Sequence, residues 1–577
     1  MEVIQQERAP KTSVMFAIIA CFLFLSITGY LLFYFYPFAS NQKAAFKTAQ
    51  HPIVFEDKIE GDAVIKNGVV YVPASFLMKH VDSSVYEDPA THSVVITTKN
   101  KVINMPDSSL KYYINERPVT LHFPINMEIN KKQYIALDPL ISFYPLQYKE
   151  FKETEIIQIE KDGETHLKGE VEGQDARPAF LRLRKEPDLQ SPYVDQVENG
   201  EEVAIINEER GYYLARTDSG ISGYIRKSYI HLKGKRTVHV RMDQESWKPI
   251  KSPLPIQLTW ETVYSKNPDV KKLGELPGIN IVSPTWFHLL NEKGDIDNLG
   301  SMEYVRWAQN HHNQIWGVFT NSFDPELTHE AFKSFESRQN IIRELIHYSK
   351  LYQLNGINLD IENVSFSDKE YVTQFVREAA ARLHQAGLII SMDVTFISSS
   401  GNWSKFYDRQ ELARSVDYMI VMAYDEHGAN SQTSGSVASI PWVENNLKAL
   451  LKVVPNEKLV LGIPLFTRLW KEQKQSDGSL TVSSKALKMD EAKQWITERK
   501  LTPIYDQDSG QNFVSYTNEK EQATYKMWLE DECSLQNRTA LAEKYQLAGV
   551  AAWARYFADQ SAWTSLKNSM TALYQKK

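Results

Sequence analysis

The sequence predicts an α/β protein whose larger part is a (β/α)8 (TIM) barrel, and three observations predict this fold. From residue 250 to residue 577, apolar strand-like segments alternate with helix-like segments, which is the pattern of a parallel sheet. The strand-like segments number eight, as a closed barrel requires, and their apolar, β-branched content suits strands covered on both faces. The fourth segment is half polar, because Asn358, Asp360 and Glu362 alternate with apolar residues.

The eight predicted strands are spaced as βα units, except before the last one. They are Pro255–Tyr264, Ile279–Trp286, Gln314–Thr320, Gly356–Glu362, Leu388–Thr395, Tyr418–Asp425, Leu459–Phe466 and Ala548–Trp553. The interval between the seventh and the eighth strand is longer than one helix requires. We therefore predict an inserted α+β lobe at about 467–530 that forms one side of a cleft.

The half-polar fourth strand is the strongest indication of function. Side chains at alternate positions share one face of a strand, so Asn358, Asp360 and Glu362 are expected to project together. Carboxylates on the inward face of an apolar strand are costly unless they pair or act. The loop-like residues 363–368 follow directly, and a parallel barrel carries its chemistry at the carboxyl ends of its strands. The alternative is a structural network of acids without activity.

Three strand ends resemble the motifs of glycoside hydrolase family 18, the chitinase-like enzymes. Residues 354–362 fill every position of the signature apolar-[Asp/Asn]-Gly-apolar-[Asp/Asn]-apolar-Asp-x-Glu. Residues 422–425 (Met-Ala-Tyr-Asp) are similar to the Met-[Ala/Ser/Thr]-Tyr-Asp motif, and residues 549–553 to the closing Gly-apolar-apolar-x-Trp. These motifs occur in the family's order at strand ends, and the resemblance covers a little over half of the chain.

The resemblance implies substrate-assisted hydrolysis, in which the acetamido group of the sugar is the nucleophile. Glu362 would be the acid, with a pKa raised by burial and by the like charge of Asp360. Asp360 would hold the acetamido N–H and stabilise the oxazolinium. Tyr424 would position the acetamido oxygen, and Asp425 would hydrogen-bond the sugar or the donor. Retention of configuration and a requirement for an N-acetylated sugar would follow.

Further residues at the strand ends are predicted to bind substrate. They are Asn358, Met422, Trp553, Trp286 and Asp393, with Trp553 stacked under the sugar ring.

Two features depart from the family pattern. The position of Asn358 is often Asp in chitinases, so the relay behind Asp360 should be shorter, and residues 466–468 (Phe-Thr-Arg) replace the usual Tyr-Gly.

The N-terminal segment is predicted to cross a membrane. No charged residue occurs between Thr12 and Gln42, and the apolar stretch is long enough to span a bilayer as a helix. We predict a cytoplasmic tail at 1–12, a transmembrane helix at 13–38 and an extracytoplasmic remainder, so that the protein is a single-pass protein of the cell membrane. The alternative is a cleaved signal peptide ending near Ala39-Ser40.

Three further regions are predicted between the helix and the barrel. Residues 39–52 are interpreted as a linker, and 53–160 as a β-rich, stalk-like module with a weak internal repeat of residues 71–77 in residues 134–140. A polar stretch at 163–174 is interpreted as a second linker. Residues 175–233 resemble a bacterial SH3 domain, which implies either contact with the cell wall or a spacer.

Composition excludes several classes of function. A net charge of −7 argues against nucleic acid as a partner, and the two cysteines predict no disulfide. His311-His312 lacks ligand spacing, so no metal is predicted, and no glycine-rich phosphate loop indicates a cofactor.

The predicted partner is an N-acetylglucosamine-containing polysaccharide. Residues 283–287 and 528–531 look most like the bacterial spore- and wall-associated branch of the family, which favours peptidoglycan over chitin. The rival hypothesis is a non-catalytic glycan- or wall-binding protein built on the same barrel.

Overall fold

The computed structural model describes residues 11–35, 38–46, 50–56, 58–242, 252–475 and 477–574. Within these ranges the chain forms two compact units, one of residues 1–83 with 127–244 and one of residues 84–126 with 245–577. The first helix, α1 (Lys11–Phe35), contains one stretch, Val14–Leu32, that is long and apolar enough to cross a membrane. Residues 1–10, most of the predicted cytoplasmic tail, lie outside the described residues.

The region predicted as a stalk contains short strands and two short helices. They are β1 (Pro52–Phe55), β2 (Lys58–Asp62), β3 (Val64–Lys66), β4 (Val69–Pro73), α2 (Ala74–His80), β5 (Tyr86–Asp88), β6 (Ser93–Thr97), β7 (Val102–Met105), β8 (Lys111–Ile114), β9 (Arg117–Thr120), β10 (Asn126–Ile129), β11 (Lys132–Ala136), α3 (Leu137–Leu140), β12 (Leu146–Phe151) and β13 (Ile156–Lys161). The two copies of the weak repeat are β4–α2 and β11–α3. Their strands pair antiparallel, with Tyr134 opposite Pro73.

An SH3-like sheet of seven strands follows, in the unit of residues 1–83 with 127–244. It consists of β14 (Thr165–Val171), β15 (Arg182–Arg184), β16 (Tyr193–Gln196), β17 (Glu202–Glu209), β18 (Tyr212–Arg216), β19 (Ser222–Arg226) and β20 (Ile230–Thr237). Its core is formed by Leu183, Val203, Ile205, Ala215 and Ile225, among others.

Two segments that the sequence suggested as linkers belong to this sheet. Residues 163–174 contain β14, which pairs with β17 and β20, so that interpretation was wrong. In β14, buried residues alternate with exposed or partly exposed ones. Most of its side chains are polar, so the segment has the composition of a loop. In the segment 39–52, the amide of Ala44 donates to the carbonyl of Tyr193 at 2.8 Å, and the amide of Tyr193 donates to the carbonyl of Gln42 at 3.0 Å. Part of this segment therefore lies along β16.

The barrel is built from eight parallel strands in the predicted places. They are β21 (Ile256–Glu261), β22 (Ile281–Pro284), β25 (Gln314–Thr320), β26 (Gly356–Asp360), β27 (Ile389–Thr395), β28 (Tyr418–Met422), β29 (Leu459–Pro464) and β35 (Gly549–Trp553), with the hairpin β23 (Phe287–Leu289) and β24 (Ile296–Asn298) after β22. The order β21-β22-β25-β26-β27-β28-β29-β35 closes because β35 also pairs with β21. The predicted fold class is confirmed.

Helices cover the outside of the barrel. They are α4 (Met302–Asn310), α5 (Pro325–Lys333), α6 (Phe335–Leu351), α7 (Lys369–Gln385), α8 (Arg409–Ser415), α9 (Ile440–Leu450), α11 (Glu532–Lys544) and α12 (Gln560–Tyr574). Ile357, Leu359 and Ile361 belong to the apolar cluster under these helices. The even-numbered side chains of the same strand face the interior, as the alternation predicted.

The predicted insertion is a five-stranded antiparallel sheet with one helix. It contains β30 (Thr467–Lys474), β31 (Leu480–Leu487), α10 (Met489–Glu498), β32 (Ile504–Asp506), β33 (Gln511–Asn518) and β34 (Ala523–Trp528). A separate small core holds it, formed by Leu487, Ala492, Val514, Met527 and Leu529.

Strands β5–β9 form a separate sheet that belongs to the unit of the barrel, although the sequence placed them in one stalk module. The Arg338 side chain on α6 is fully buried between Asp88 and Glu378, each with an N–O distance of 2.9 Å. Burial alone would lower the pKa of Arg338, but the two carboxylates raise it above its ordinary value. The contact between Asp88 and Arg338 joins residues separated by 250 positions, which local patterns cannot predict.

Replacing Asp88 by Ala is expected to destabilise this unit by about 3–5 kcal/mol, because Arg338 would lose one of two buried partners. The measurement is urea unfolding followed by tryptophan fluorescence. Arg343→Ala is the control, since Arg343 is 53% exposed in its ion pair with Glu116 and should cost less than about 1 kcal/mol. Equal costs for the two variants would show that residues 84–126 are only loosely attached to the barrel.

Candidate active site

The polar row of β26 reaches from the barrel interior to its carboxyl end. Asn358 is fully buried, Asp360 is 7% exposed, and Glu362, two residues further on, is partly open to solvent. The strand begins with Gly356. A larger residue would not fit there, because its Cβ atom would lie 2.8 Å from the carbonyl oxygen of Ile389. Close approach of the neighbouring strand thus explains the glycine of the motif.

Asn358 is held at the bottom of the site by three hydrogen bonds. Its Oδ1 accepts from the Nε1–H of Trp260 at 3.0 Å and from the hydroxyl of Ser283 at 3.3 Å. Its Nδ2 donates to Oδ1 of Asp393 on β27 at 2.9 Å. The two donors on Oδ1 fix the orientation of the amide, so that its N–H group faces Asp393.

The backbone around Glu362 is fixed by side chains that the sequence reasoning missed. Asn321 accepts from the Glu362 amide at 3.1 Å and donates to the Glu362 carbonyl at 2.8 Å. The hydroxyl of Tyr407 donates to the carbonyl of Ile361 at 2.8 Å. Asn321 directly follows β25, and a polar residue at that strand end was a signal that could have identified it.

The other predicted catalytic residues follow β28. Tyr424 is partly buried and lies edge-on to Phe466, with ring centroids 6.3 Å apart. Asp425 has φ +65°, a left-handed conformation that Asp tolerates better than most residues, and its side chain is open to the cleft. Arg468 on β30 interacts electrostatically with Asp425, so the Arg of the atypical Phe-Thr-Arg stretch contributes to the site.

The carboxyl groups of the site raise one another's pKa values. Burial raises the pKa of Glu362 well above its ordinary value, and the charges of Asp360 and Asp425 raise it further. Burial and the neighbouring Asp393 raise the pKa of Asp360 in the same way. Burial raises the pKa of Asp425, although Arg468 opposes this effect. A carboxyl group that stays protonated towards neutral pH is suited to donate a proton.

The pH dependence of the reaction follows from this shift. Glu362, as the predicted acid, is expected to donate a proton only while it is protonated, so the rate should fall as pH rises through its raised pKa. Asp425→Asn removes a like charge and should lower the pKa of Glu362, which moves this basic limb to lower pH. A kcat profile against pH for both proteins tests this. If kcat of the Asp425→Asn variant falls at the same pH as kcat of the native protein, a group other than Glu362 controls the basic side of the profile.

The remaining predicted substrate-binding residues lie at different depths. Trp553 is partly exposed at the end of β35, edge-on to Trp260 with ring centroids 5.6 Å apart, and Met422 is partly exposed at the end of β28. Asp393 is only 2% exposed and lies behind the cleft surface.

Trp286 does not reach the cleft. Its ring is fully buried on the helix side of the barrel, where it packs against Tyr304 and Tyr352, and its Nε1–H donates to Asn267. The prediction that it binds substrate is therefore wrong. The residue comes two positions after Pro284, where β22 has ended, so that strand alternation no longer sets its direction.

A further ion pair connects the first and last barrel strands at their carboxyl ends. Glu261, at the end of β21, binds Arg555, which follows β35, and accepts from the hydroxyl of Tyr304 at 3.4 Å. In the part of the chain that the structure describes, no group of three or more His, Cys, Asp or Glu residues is arranged to hold a metal ion.

Comparison with known families agrees with this geometry. Residues 290–558 match Glycosyl hydrolases family 18. Residues 179–231 match the Bacterial SH3 domain, and residues 54–140 match the Copper amine oxidase N-terminal domain.

Three curated relatives illustrate the similarity. The uncharacterized glycosylase YvbX of Bacillus subtilis is 26% identical over 285 residues, which are 48% of this chain and 80% of YvbX. The cortical fragment-lytic enzyme of the same organism is 25% identical, over 41% of this chain and 55% of the enzyme. The class V chitinase CHIT5 of Lotus japonicus is 24% identical, over 43% of this chain and 66% of that enzyme. The chain thus spans less than two thirds of the latter two relatives.

The three sequence motifs lie at the carboxyl ends of a closed eight-stranded barrel, and the family match covers most of that barrel. Residues 290–558 are therefore a glycosyl hydrolases family 18 domain, and the protein is an O-glycosyl hydrolase.

Proposed function

We propose that the protein is a membrane-anchored hydrolase of β-linked N-acetylglucosamine glycans of the bacterial cell wall. The observation that carries the proposal is Glu362, a partly exposed carboxyl group with a raised pKa beside the buried Asp360. Asp360 and Glu362 form no ion pair with any lysine or arginine that the structure describes. A structural role would favour such a pair, because buried charges are otherwise unfavourable.

The proposed mechanism uses each group according to its position. Glu362 protonates the leaving glycosidic oxygen as the acetamido oxygen of the same sugar attacks C1. Asp360 binds the acetamido N–H and stabilises the positive charge of the oxazolinium, while Tyr424 positions the acetamido oxygen. Glu362 then deprotonates the water that opens the ring. Two displacements at C1 give overall retention.

Exposed aromatic residues on the loops after the barrel strands support a polymeric substrate. Tyr264 is 89% exposed, Phe366 55%, Trp403 48% and Tyr556 56%. The loops of Phe366 and Trp403 are joined by a hydrogen bond from the amide of Val364 to the carbonyl of Asn402 at 3.0 Å. Large exposed apolar groups around a cleft are typical of binding surfaces, and aromatic rings provide flat faces for sugars.

The remaining regions support action at the cell wall. The Val14–Leu32 segment is long enough to anchor the chain in a membrane. The proposed orientation puts the enzyme outside the cytoplasm. The SH3-like domain is proposed to contact wall material. One relative is named a cortical fragment-lytic enzyme. We accordingly propose peptidoglycan as the substrate in preference to chitin.

The test is hydrolysis by the purified full chain in detergent. Peptidoglycan, N-acetylglucosamine oligomers and an α-glucan are incubated separately, and products are identified by mass spectrometry. We expect cleavage of peptidoglycan and of the oligomers but not of the α-glucan. Failure to release product from any N-acetylglucosamine glycan would refute the proposal. Product sizes from a defined hexasaccharide distinguish endo from exo cleavage.

A further inference from the structure

The site contains a second buried carboxyl group whose role the mechanism above leaves open. Asp393 on β27 is 2% exposed and Asp360 on β26 is 7% exposed, and the two interact electrostatically. Their strands are paired, with Leu359 opposite Met392, which places the two aspartates side by side one position further on. Neither carboxyl group forms an ion pair within the described residues. Two adjacent buried carboxylates without a cation cannot both stay ionised at moderate pH.

The hydrogen bonds of the two groups differ, and this difference places the proton. Asp393 receives the N–H of Asn358 at 2.9 Å, and Trp260 and Ser283 hold that amide in the donating orientation. Burial raises the pKa of Asp393 too, but the donated N–H stabilises its ionised form and opposes that rise. In contrast, Oδ1 of Asp360 is buried and has no hydrogen-bond partner among the described residues. The protonated form is therefore favoured at Asp360.

Resting on the function proposed above, we propose that Asp393 is a positioning residue that exchanges one proton with Asp360. In the free enzyme Asp360 holds the proton and Asp393 is ionised. When substrate binds, the O–H bond of Asp360 breaks and an O–H bond forms on Asp393. Asp360 thereby becomes negatively charged when the oxazolinium next to it becomes positive, and the charge of the pair does not change.

Other ionisable groups face this pair and set the surrounding potential. They are Glu362 on the same strand, Tyr407 with Arg409 beside it, and Tyr424 and Asp425 after β28 with Arg468 beside Asp425. The two arginines act on Tyr407 and Asp425. The carboxyl groups disfavour any further negative charge, so an internal transfer that keeps the total charge constant is easier than loss of a proton to solvent.

Two variants test this inference. Asp393→Asn removes the acid, and the double variant Asn358→Asp/Asp393→Asn exchanges the acid and the amide without changing the composition of the site. Asp393→Asn removes the proton acceptor, so Asp360 must release its proton to water before it can act. We expect kcat to fall by about 10²-fold with little change in KM, and a new acid limb to appear in the kcat profile. In the double variant Asn358→Asp/Asp393→Asn, an acceptor returns next to Asp360 on its own strand. We expect kcat to recover to within about tenfold of the native value and the new acid limb to disappear.

The outcomes separate this inference from the proposed function and from a purely structural role. All variants are full-length chains assayed on an N-acetylglucosamine oligosaccharide, with melting temperatures measured in parallel. An inactive native chain would refute the proposed function itself. An active native chain with an unchanged Asp393→Asn variant would overturn the inference alone. A loss in Asp393→Asn that the double variant fails to recover would also overturn it, because a structural role gives that result.

Discussion

Replacing Glu362 by Gln is expected to lower kcat by about 10²–10⁴-fold or more while glycan binding is retained. Gln has nearly the shape of Glu and keeps the backbone hydrogen bonds to Asn321, but it cannot donate a proton to the leaving oxygen. The measurements are kcat on an N-acetylglucosamine oligomer and the Kd of the same oligomer by calorimetry. A binding protein without activity would show no difference between the two chains.

The control is the same substitution at Glu326, an exposed residue in the first turn of α5, which should leave kcat unchanged.

The thermal stability of Glu362→Gln provides a second comparison. Because the pKa of Glu362 is raised in the folded state, its contribution to stability is present at low pH and is lost as pH rises above the unfolded value. Glu362→Gln should therefore melt at the same or a higher temperature at neutral pH. A lower melting temperature would indicate that lost activity reflects unfolding.

The parts of the fold that depend on local periodicity could be predicted from the sequence. Each barrel strand combines an apolar segment with a polar end, and β26 adds a period of two that fixes the direction of Asp360 and Glu362. The insertion was predictable because the interval before β35 exceeds one helix. The assignment of residues 84–126 to the barrel unit was not predictable, because it depends on contacts such as that of Asp88 with Arg338, which are distant in sequence.

The site was predictable to the extent that its residues occupy strand ends. The network behind it depends on which strands become neighbours, and this arrangement joins Asn358 to Asp393, Trp260 and Ser283. From sequence, Asn358 indicated a shortened relay behind Asp360. The structure places a carboxyl group on the adjacent strand instead, so the acid is present at a different position.

A glycan deacetylated at the sugar in the cleavage subsite is expected to resist hydrolysis almost completely. The acetamido oxygen is the nucleophile of the proposed mechanism, and a well-placed internal nucleophile has an effective concentration of about 10⁵ M or more. Loss of this group should therefore lower kcat/KM by at least about 10³-fold. The measurement compares chitosan oligomers of defined acetylation pattern with the fully acetylated oligomer, and mass spectrometry identifies the sugar on each side of the cleaved bond.

The protein itself contains no evident replacement for that nucleophile. Asp393 is buried behind Asp360, and Asp425 is open to the cleft but lies beside Arg468 at the end of a different strand. A thiazoline mimic of the oxazolinium should accordingly inhibit strongly, since Asp360 would face its positive charge. Equal rates on acetylated and deacetylated oligomers would instead assign the nucleophile to a carboxylate, and Asp425→Ala would then have to abolish cleavage of both.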